Sequence, residues 1–274
     1  MDATDGSPIL KLGVDDAIAG LVLSTEAHWN QTEEDWRIFL RDGVVFGIRD
    51  GMRLVATAAL LPYSGNNAWI SMVLVTATHR RRGLATRLVD ACLETARKNG
   101  LTSWLDATPD GAAVYGPLGF TPTLQLRRLR LQVPAKGGTP HPLSACTTGD
   151  FIARDQRALG FERSLLLTEF AGRSRSRVVS SGDAVALVRD GRTARQIGPL
   201  LAESHQSALG LVDAIVRSEQ GPWLLDAVHS RDEFLQGLTA AGWTIERPFQ
   251  RMRFGRTTTL ISEPPFAVAG PEFG

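Results

Sequence analysis

Val73-Leu-Val-Thr-Ala-Thr-His-Arg-Arg-Arg-Gly-Leu-Ala-Thr86 decides the fold of this chain. It closes an apolar run, Trp69-Ile-Ser-Met-Val-Leu-Val75, whose β-branched residues suit a buried strand. A polar loop with three consecutive arginines follows. From there apolar residues recur at 84, 85, 88, 89, 92 and 96, one face of a helix. The order is strand, basic loop with small residues, helix. A helix N-terminus carries unpaired N–H groups and partial positive charge, so it collects phosphates. Small side chains at Gly83 and Ala85 let a ligand approach the backbone. Neither the dinucleotide fingerprint nor the Walker A ending is present.

Working outward, the N-terminal side reads as a short strand over 9–12. Asp15 and Asp16 are expected to cap a helix running to about 27. Thr32-Glu-Glu-Asp35 starts a second helix, with a capping hydroxyl and acids in its first turn. Strands over 44–49 and 54–62 flank Asp50-Gly51, a strong hairpin signal. On the other side, a helix over 84–98 ends at Asn99-Gly100. A strand over 103–107, a short helix from Pro109 to Tyr115 and a strand over 121–131 follow. Antiparallel strands first, then strand–helix–strand–helix–strand, predict a mixed α/β sheet.

Residues 133–149 are dense in Pro, Gly, Ser and Thr, a linker composition. It divides the chain into 1–132 and 150–274. The second part repeats the element order: helices over 150–159 and 161–172, a hairpin over Gly182-Asp183, a strand at 194–200, a helix at 204–218, a strand at 223–228, a helix at 231–240 and a strand at 243–254. Leu105-Asp-Ala107 with Gly119-Phe120 is echoed by Leu225-Asp-Ala227 with Gly242-Trp243.

Composition narrows the function classes. Of 274 residues, 43% are apolar and 22% charged, which is ordinary for a globular chain, and a net charge of +1 gives no case for a nucleic-acid surface. Arg80–Arg82 form one short cluster without aromatic interleaving, which argues against nucleic acid there too. Two cysteines, Cys92 and Cys146, make no disulfide framework, and Cys92 falls on the apolar helix face as a buried thiol. The two cysteines and five histidines show no metal-ligand spacing, so no metal is expected. Met1-Asp-Ala-Thr-Asp5 has no signal-peptide character, and no apolar run approaches the roughly 18–20 residues of a membrane span. A cytoplasmic protein with no membrane partner is expected.

Arg80-x-x-Gly83-x-Ala85 after a V-x-V strand end resembles the acetyl-CoA loop of the GNAT N-acetyltransferases. Tyr115-Gly-Pro-Leu-Gly-Phe120 resembles a second GNAT segment at the family's separation. The sequence departs from the pattern at Ala77, where a Pro is usual, and at Thr108, in place of an Asn. The second part has no such loop between Gly198 and Leu209, and no tyrosine at the matching place before Gly242. The whole therefore resembles two-domain bacterial GNATs with a degenerate C-terminal domain, and the stretch Phe266–Gly274 fits that group. The resemblance implies tandem GNAT-like domains, each a mixed, mostly antiparallel sheet flanked by helices. The second domain would complete the substrate cleft or stabilise the first.

The resemblance further implies acetyl-CoA as co-substrate. Backbone of Val73, Leu74 and Val75 would pair with its pantetheine arm. Arg80, Arg81, Arg82, Gly83, Leu84, Ala85 and Thr86 would hold its phosphates. Tyr115 would be the general acid for the departing thiolate, in direct transfer to a primary amine of a small molecule such as an aminoglycoside, amino acid or polyamine. Two domains with acids near the cleft favour a cationic small molecule over a protein lysine. His28, Trp29, Asn30, Asp35 and Trp36 are the expected acceptor-side residues. Glu26, His28, Asp35 and His79 stay open as the base, which a primary ammonium near pKa ~10.4 requires. Trp223, Asp226 and His229 read first as a structural strand. The alternative is a non-catalytic acyl-CoA-binding sensor. Monomer and homodimer are both open.

Overall fold

The computed structural model describes residues 6–133, 142–256 and 264–274; residues 134–141 of the expected linker lie outside the described residues. The first half runs β1 (Leu10–Lys11), α1 (Ala17–Glu26), α2 (Glu33–Asp42), β2 (Val44–Asp50), β3 (Arg53–Tyr63), β4 (Asn67–Val75), α3 (Leu84–Lys98), β5 (Thr102–Ala107), α4 (Pro109–Tyr115) and β6 (Thr121–Leu131). The second runs β7 (Ser144–Ala145), α5 (Thr148–Leu159), α6 (Ser164–Gly172), β8 (Arg177–Ser181), β9 (Ala184–Arg189), β10 (Arg195–Leu201), α7 (His205–Ser218), β11 (Trp223–Val228), α8 (Asp232–Ala240) and β12 (Thr244–Phe254).

Local chemistry accounts for several of these boundaries. Thr32 and Asp35 form a reciprocal capping box at α2: Asp35 N donates to Thr32 Oγ1 at 3.2 Å, and Thr32 N to Asp35 Oδ2 at 2.9 Å. Thr108 caps α4 by accepting from Gly111 N at 3.2 Å, with Pro109 at the first helical position. The expected cap at α1 is different. Asp16 makes no side-chain cap there; its carboxylate accepts from Gly13 N at 2.9 Å, closing a 3₁₀ turn, and pairs with Arg49. The acid is drawn to a guanidinium across the sheet rather than to its own helix.

The twelve strands among the described residues form one sheet, in the order β1-β2-β3-β4-β5-β12-β6-β11-β10-β9-β8-β7. The two halves exchange their last long strands. β12 lies antiparallel to β5, β6 lies antiparallel to β11, and β6 and β12 pair with each other at the centre. The repeated Leu-Asp-Ala segments lock this exchange. Asp106 of β5 takes a bidentate pair from Arg251 of β12 at 2.8 and 2.8 Å. Asp226 of β11 takes the same pair from Arg128 of β6 at 2.8 and 2.9 Å. All four side chains are buried. In the dry seam each charge is tolerated only because its partner is present.

α3 covers one face of β3, β4 and β5, where Leu84, Leu88, Cys92 and Leu105 share a core with Tyr115 and Phe120. α1, α2 and α6 cover the opposite face, around Trp36, Phe39, Phe170 and Phe273. Residues 264–274 run along the sheet: Phe266–Val268 join β10 and β11, Trp69 Nε1 donates to Pro271 O at 3.0 Å, and Phe273 stacks on Phe39. No helix among the described residues is long and apolar enough to cross a membrane.

Candidate active site

β4 and β5 run parallel and pair only over Asn67–Trp69 with Thr102–Trp104. Beyond Trp69 they splay. From Ile70 onward β4 keeps its bonds to β3 but leaves its other edge open. A bulge helps: Met72 has φ of 51°, the ladder to β3 shifts there, and Thr57 Oγ1 donates to Met72 O at 2.8 Å. The splay opens a cleft of about 610 Å³, its solvent-open mouth included. Residues on the α3 side are Ile70, Val73, Leu105, Ala107 and Tyr115. The other side is lined by Trp29, Gln31, Arg128, Arg247, Phe249 and Glu272, with Asp106 and Pro271 behind them. The cleft therefore joins the two faces of the sheet, and a chain entering from one can meet a molecule entering from the other.

Beyond Val75 the chain makes a 3₁₀ turn, Ala77–His79, and reaches α3 through a loop with Arg81 and Gly83 at φ of 61° and 76°. Gly83 is the N-cap and offers no side-chain cap, so the first N–H groups of α3 face outward beside three exposed arginines. Left-handed positions within such a loop make a concave row of donors for an anion. Arg80 Nε donates to Val75 O at 3.3 Å and Arg82 Nη2 to Thr78 O at 2.9 Å, fixing two of these side chains at the mouth. Glu26 braces the loop from α1, accepting from Ala77 N at 2.7 Å and from Thr76 Oγ1. The Ala77 and Thr76 bonds hold its carboxyl below the ordinary range, which makes it a poor base.

Tyr115 ends α4 and is 9% exposed, with its ring against Phe120 and its flank on the cleft. Burial, with Cys92 nearby, pushes its phenol up to about 12, so it stays protonated at neutral pH. Cys92 is fully buried and burial pushes its thiol up as well.

Of the expected acceptor-side residues, Trp29 lines the cleft. His28 is exposed and does not line it. Asn30 is buried as a strap between the halves: its Oδ1 accepts from Thr193 N and Ala194 N, and its Nδ2 donates to Ala194 O. Asp35 is fully buried against Arg173 at 2.7 Å. Trp36 is core, its Nε1 donating to Ser24 Oγ at 3.0 Å. His79 faces Asp50 at 3.3 Å, away from the cleft. Trp223 and Asp226 are wholly buried in β11, as a structural strand requires.

The residues that sequence reasoning missed come from the second half and the closing stretch. Arg247 and Phe249 reach the cleft because β12 has crossed to β5. Glu272 reaches it because residues 264–274 return to the first half. Its carboxyl is buried, 3.5 Å from Arg189 Nη2. Burial raises it above the ordinary carboxylate range, against the pull of Arg189 and Arg128. Asp106, the other carboxylate of the lining, is spent on Arg251. No group of three or more His, Cys, Asp or Glu side chains suited to a metal occurs among the described residues.

Comparison with known proteins agrees with this geometry in both halves. Residues 16–120 match the acetyltransferase (GNAT) family, and residues 152–264 match an acetyltransferase (GNAT) domain. An uncharacterized N-acetyltransferase of Bacillus subtilis, YitH, is 24% identical over 237 residues, 82% of this chain and 83% of that protein. A candidate acetyltransferase from Pyrococcus horikoshii superposes with a TM-score of 0.81 at 18% identity, over 98% of this chain and 96% of that one. A tandem GNAT protein from the clavulanic acid biosynthesis pathway superposes with a TM-score of 0.64 at 17% identity, over 91% and 99%.

Proposed function

The chain belongs to the GNAT family as a tandem N-acetyltransferase, and from that premise we propose that its first half moves an acetyl group from acetyl-CoA directly to a primary amine of a small molecule. The observation that carries this reading is the open edge of β4, which leads from the Arg80–Gly83 loop to a cleft holding Tyr115 and Glu272. An extended pantetheine arm can take the backbone positions of Val73–Val75 that β5 leaves free, as an added strand would. The outward N–H groups from Arg81 to Thr86 and the three arginines suit a pyrophosphate and a further phosphate. Residues 1–132 carry the acetyl-CoA loop, the open strand edge and Tyr115, and 150–274 supply the facing wall of the cleft, Glu272 included.

Glu272 is the carboxylate placed to accept the proton of the incoming ammonium. It lines the cleft and is not locked in a bidentate pair. The freed amine attacks the acetyl carbonyl carbon. The C–N bond forms, and a free backbone N–H of Val73–Val75 can meet the negative charge growing on the carbonyl oxygen. The C–S bond then breaks, and Tyr115 gives its proton to the departing thiolate. The attacking nitrogen sheds its second proton as the C–S bond breaks, and that proton restores Tyr115. The net products are the N-acetylated amine, the CoA thiol and the one proton taken up by Glu272, which passes to solvent. The raised phenol keeps the acid loaded but makes the last transfer uphill against a thiol near ~8.5. The thiolate therefore has to be drawn off as it forms.

The test is release of free thiol from acetyl-CoA against aminoglycosides, amino acids, polyamines and a lysine peptide, with product mass identified. Acetylation of one amine class by the native chain, and its loss in Tyr115→Phe, is expected. Tight acetyl-CoA binding with no thiol release from any amine, and no change in affinity in Tyr115→Phe, would favour a sensor instead.

A further inference from the structure

Resting on that reading, the charges of the cleft specify its acceptor further. Among the described residues, each ionised side chain on the acceptor side has an oppositely charged partner within 4.0 Å, with one exception. Arg128 is neutralised by Asp226, and Asp106 by Arg251. Glu272 faces Arg189. Arg247, half-buried at the β6–β12 bulge, has no described carboxylate within 4.0 Å. Its neighbour Glu246 is taken by Arg130. Its guanidinium sits 5.7 Å from the Phe249 ring centroid. Burial, then the like charges of Arg128 and Arg130, press its pKa down against the pull of Glu246 and Asp226, yet a guanidinium stays charged at neutral pH. Both carboxylates are already paired, Asp226 with Arg128 and Glu246 with Arg130, so this partly desolvated cation has no close anion of its own, and a ligand can bring one.

The same cleft holds unused acceptors a short way off. Gln31 is 3% exposed and Ser71 is 7% exposed, and both line the cleft. Gln31 Oε1 and Ser71 Oγ are buried without a hydrogen-bond partner. The Gln31 side chain is hydrogen-bonded to Glu272, which leaves its oxygen turned elsewhere. Two lone oxygens and a carboxylate are what an ammonium needs.

We propose that the acceptor is a small amine carrying its own oxyanion group, held with that group on Arg247 and its ammonium among Glu272, Gln31 and Ser71. Carboxylate and phosphate share the chemistry a guanidinium fork reads, so amino acids and phosphorylated amines are its two sources. Polyamines and aminoglycosides, which bring only positive charge, meet Arg247 as a repulsion.

The experiment compares matched pairs on the intact chain: amino acids with their carboxamides, and phosphorylated amines with their dephosphorylated forms, alongside spermidine and an aminoglycoside. Thiol release is measured, and each compound is also titrated by calorimetry in the presence of CoA. The oxyanion-bearing member of a pair should have the higher kcat/KM and the tighter binding, by tenfold or more. Arg247→Met should collapse that ratio towards one, and Arg247→Lys should restore part of it, while acetyl-CoA affinity holds. Whichever pair shows the ratio identifies the source of the anion. A preference for spermidine or the aminoglycoside overturns the proposal, as does equal use of both members of every pair. An Arg247→Met effect on acetyl-CoA affinity alone overturns it too, by assigning the guanidinium to the donor. Binding of the oxyanion amines without turnover would uphold this substrate class while refuting transfer, so the two readings fail separately.

Discussion

β4 parts from β5 after Trp69, and β10 parts from β11 after Ile197, so both halves open at nearly the same place in the same topology. The difference is what lies between the parted strands. In the second half it is the chain's own backbone. Phe266 N donates to Leu200 O at 2.9 Å and Leu200 N to Ala267 O at 2.9 Å on one edge. Val228 N donates to Phe266 O at 3.0 Å and Val268 N to Asp226 O at 3.0 Å on the other. Gly198 admits this segment: a Cβ there would sit 2.1 Å from Val268 O. The helix starts differ in the same sense. α7 is capped by Ser204, which accepts from Ser207 N at 3.1 Å, and the Asp183 carboxylate accepts from Glu203 N at 2.6 Å. A carboxylate already occupies the anionic place there, whereas α3 offers bare N–H groups and arginines. An opening between parallel strands thus wants an extended chain. One half has built it in, and the other leaves room for a ligand's arm.

The strand exchange makes the strongest prediction, because it treats the halves alike. Asp106→Ala and Asp226→Ala each strand a buried guanidinium, and each should cost about 3–5 kcal/mol in denaturant unfolding. A large loss from one and none from the other would break the equivalence of the two seams. Next, Gly83→Glu puts bulk and negative charge on the α3 N-terminus. Acetyl-CoA affinity should fall about a hundredfold or more while the far-ultraviolet spectrum is kept. Intact affinity would remove the loop from the donor site. Tyr115→Phe should lower kcat about a hundredfold with little change in KM, read by initial rates. The smallest effect is in pH. Glu272 must be ionised to accept a proton, and burial holds its carboxyl above the usual 4.5. Asp35 adds to that rise, while Arg189, Arg128 and Gln31 oppose it. So kcat/KM should climb with pH through a limb lying above the ordinary carboxylate range, and Glu272→Gln should abolish that limb. A limb that persists in this variant would assign the proton to another group.

The first half was legible where the signal was local. Periodicity over 84–98 and Pro109–Tyr115 gave helices with the observed bounds, because apolar spacing, Pro and the Thr108 cap all act within a few residues. Trp29 was found because it lies in the loop between two clearly patterned helices. Asn30, Asp35 and Trp36 were expected on the acceptor side for the same reason, yet they serve a strap, an ion pair and the core. A polar residue near a cleft looks the same in sequence whether it faces the ligand or a partner 100 or more residues away. The Leu-Asp-Ala repeat was visible, but its meaning needed Arg251 and Arg128 on the exchanged strands. Arg247 and Glu272 were illegible, since nothing near 247 or 272 shows that β12 crosses to β5 or that residues 264–274 come back to Trp69.

Calorimetric titration of the intact chain with acetyl-CoA tests the claim of one open and one filled opening most directly. A stoichiometry of about one per chain is expected, because only the first half offers a site. That single site should disappear in Gly83→Glu. Two equivalents per chain, or one equivalent that survives Gly83→Glu, would contradict it.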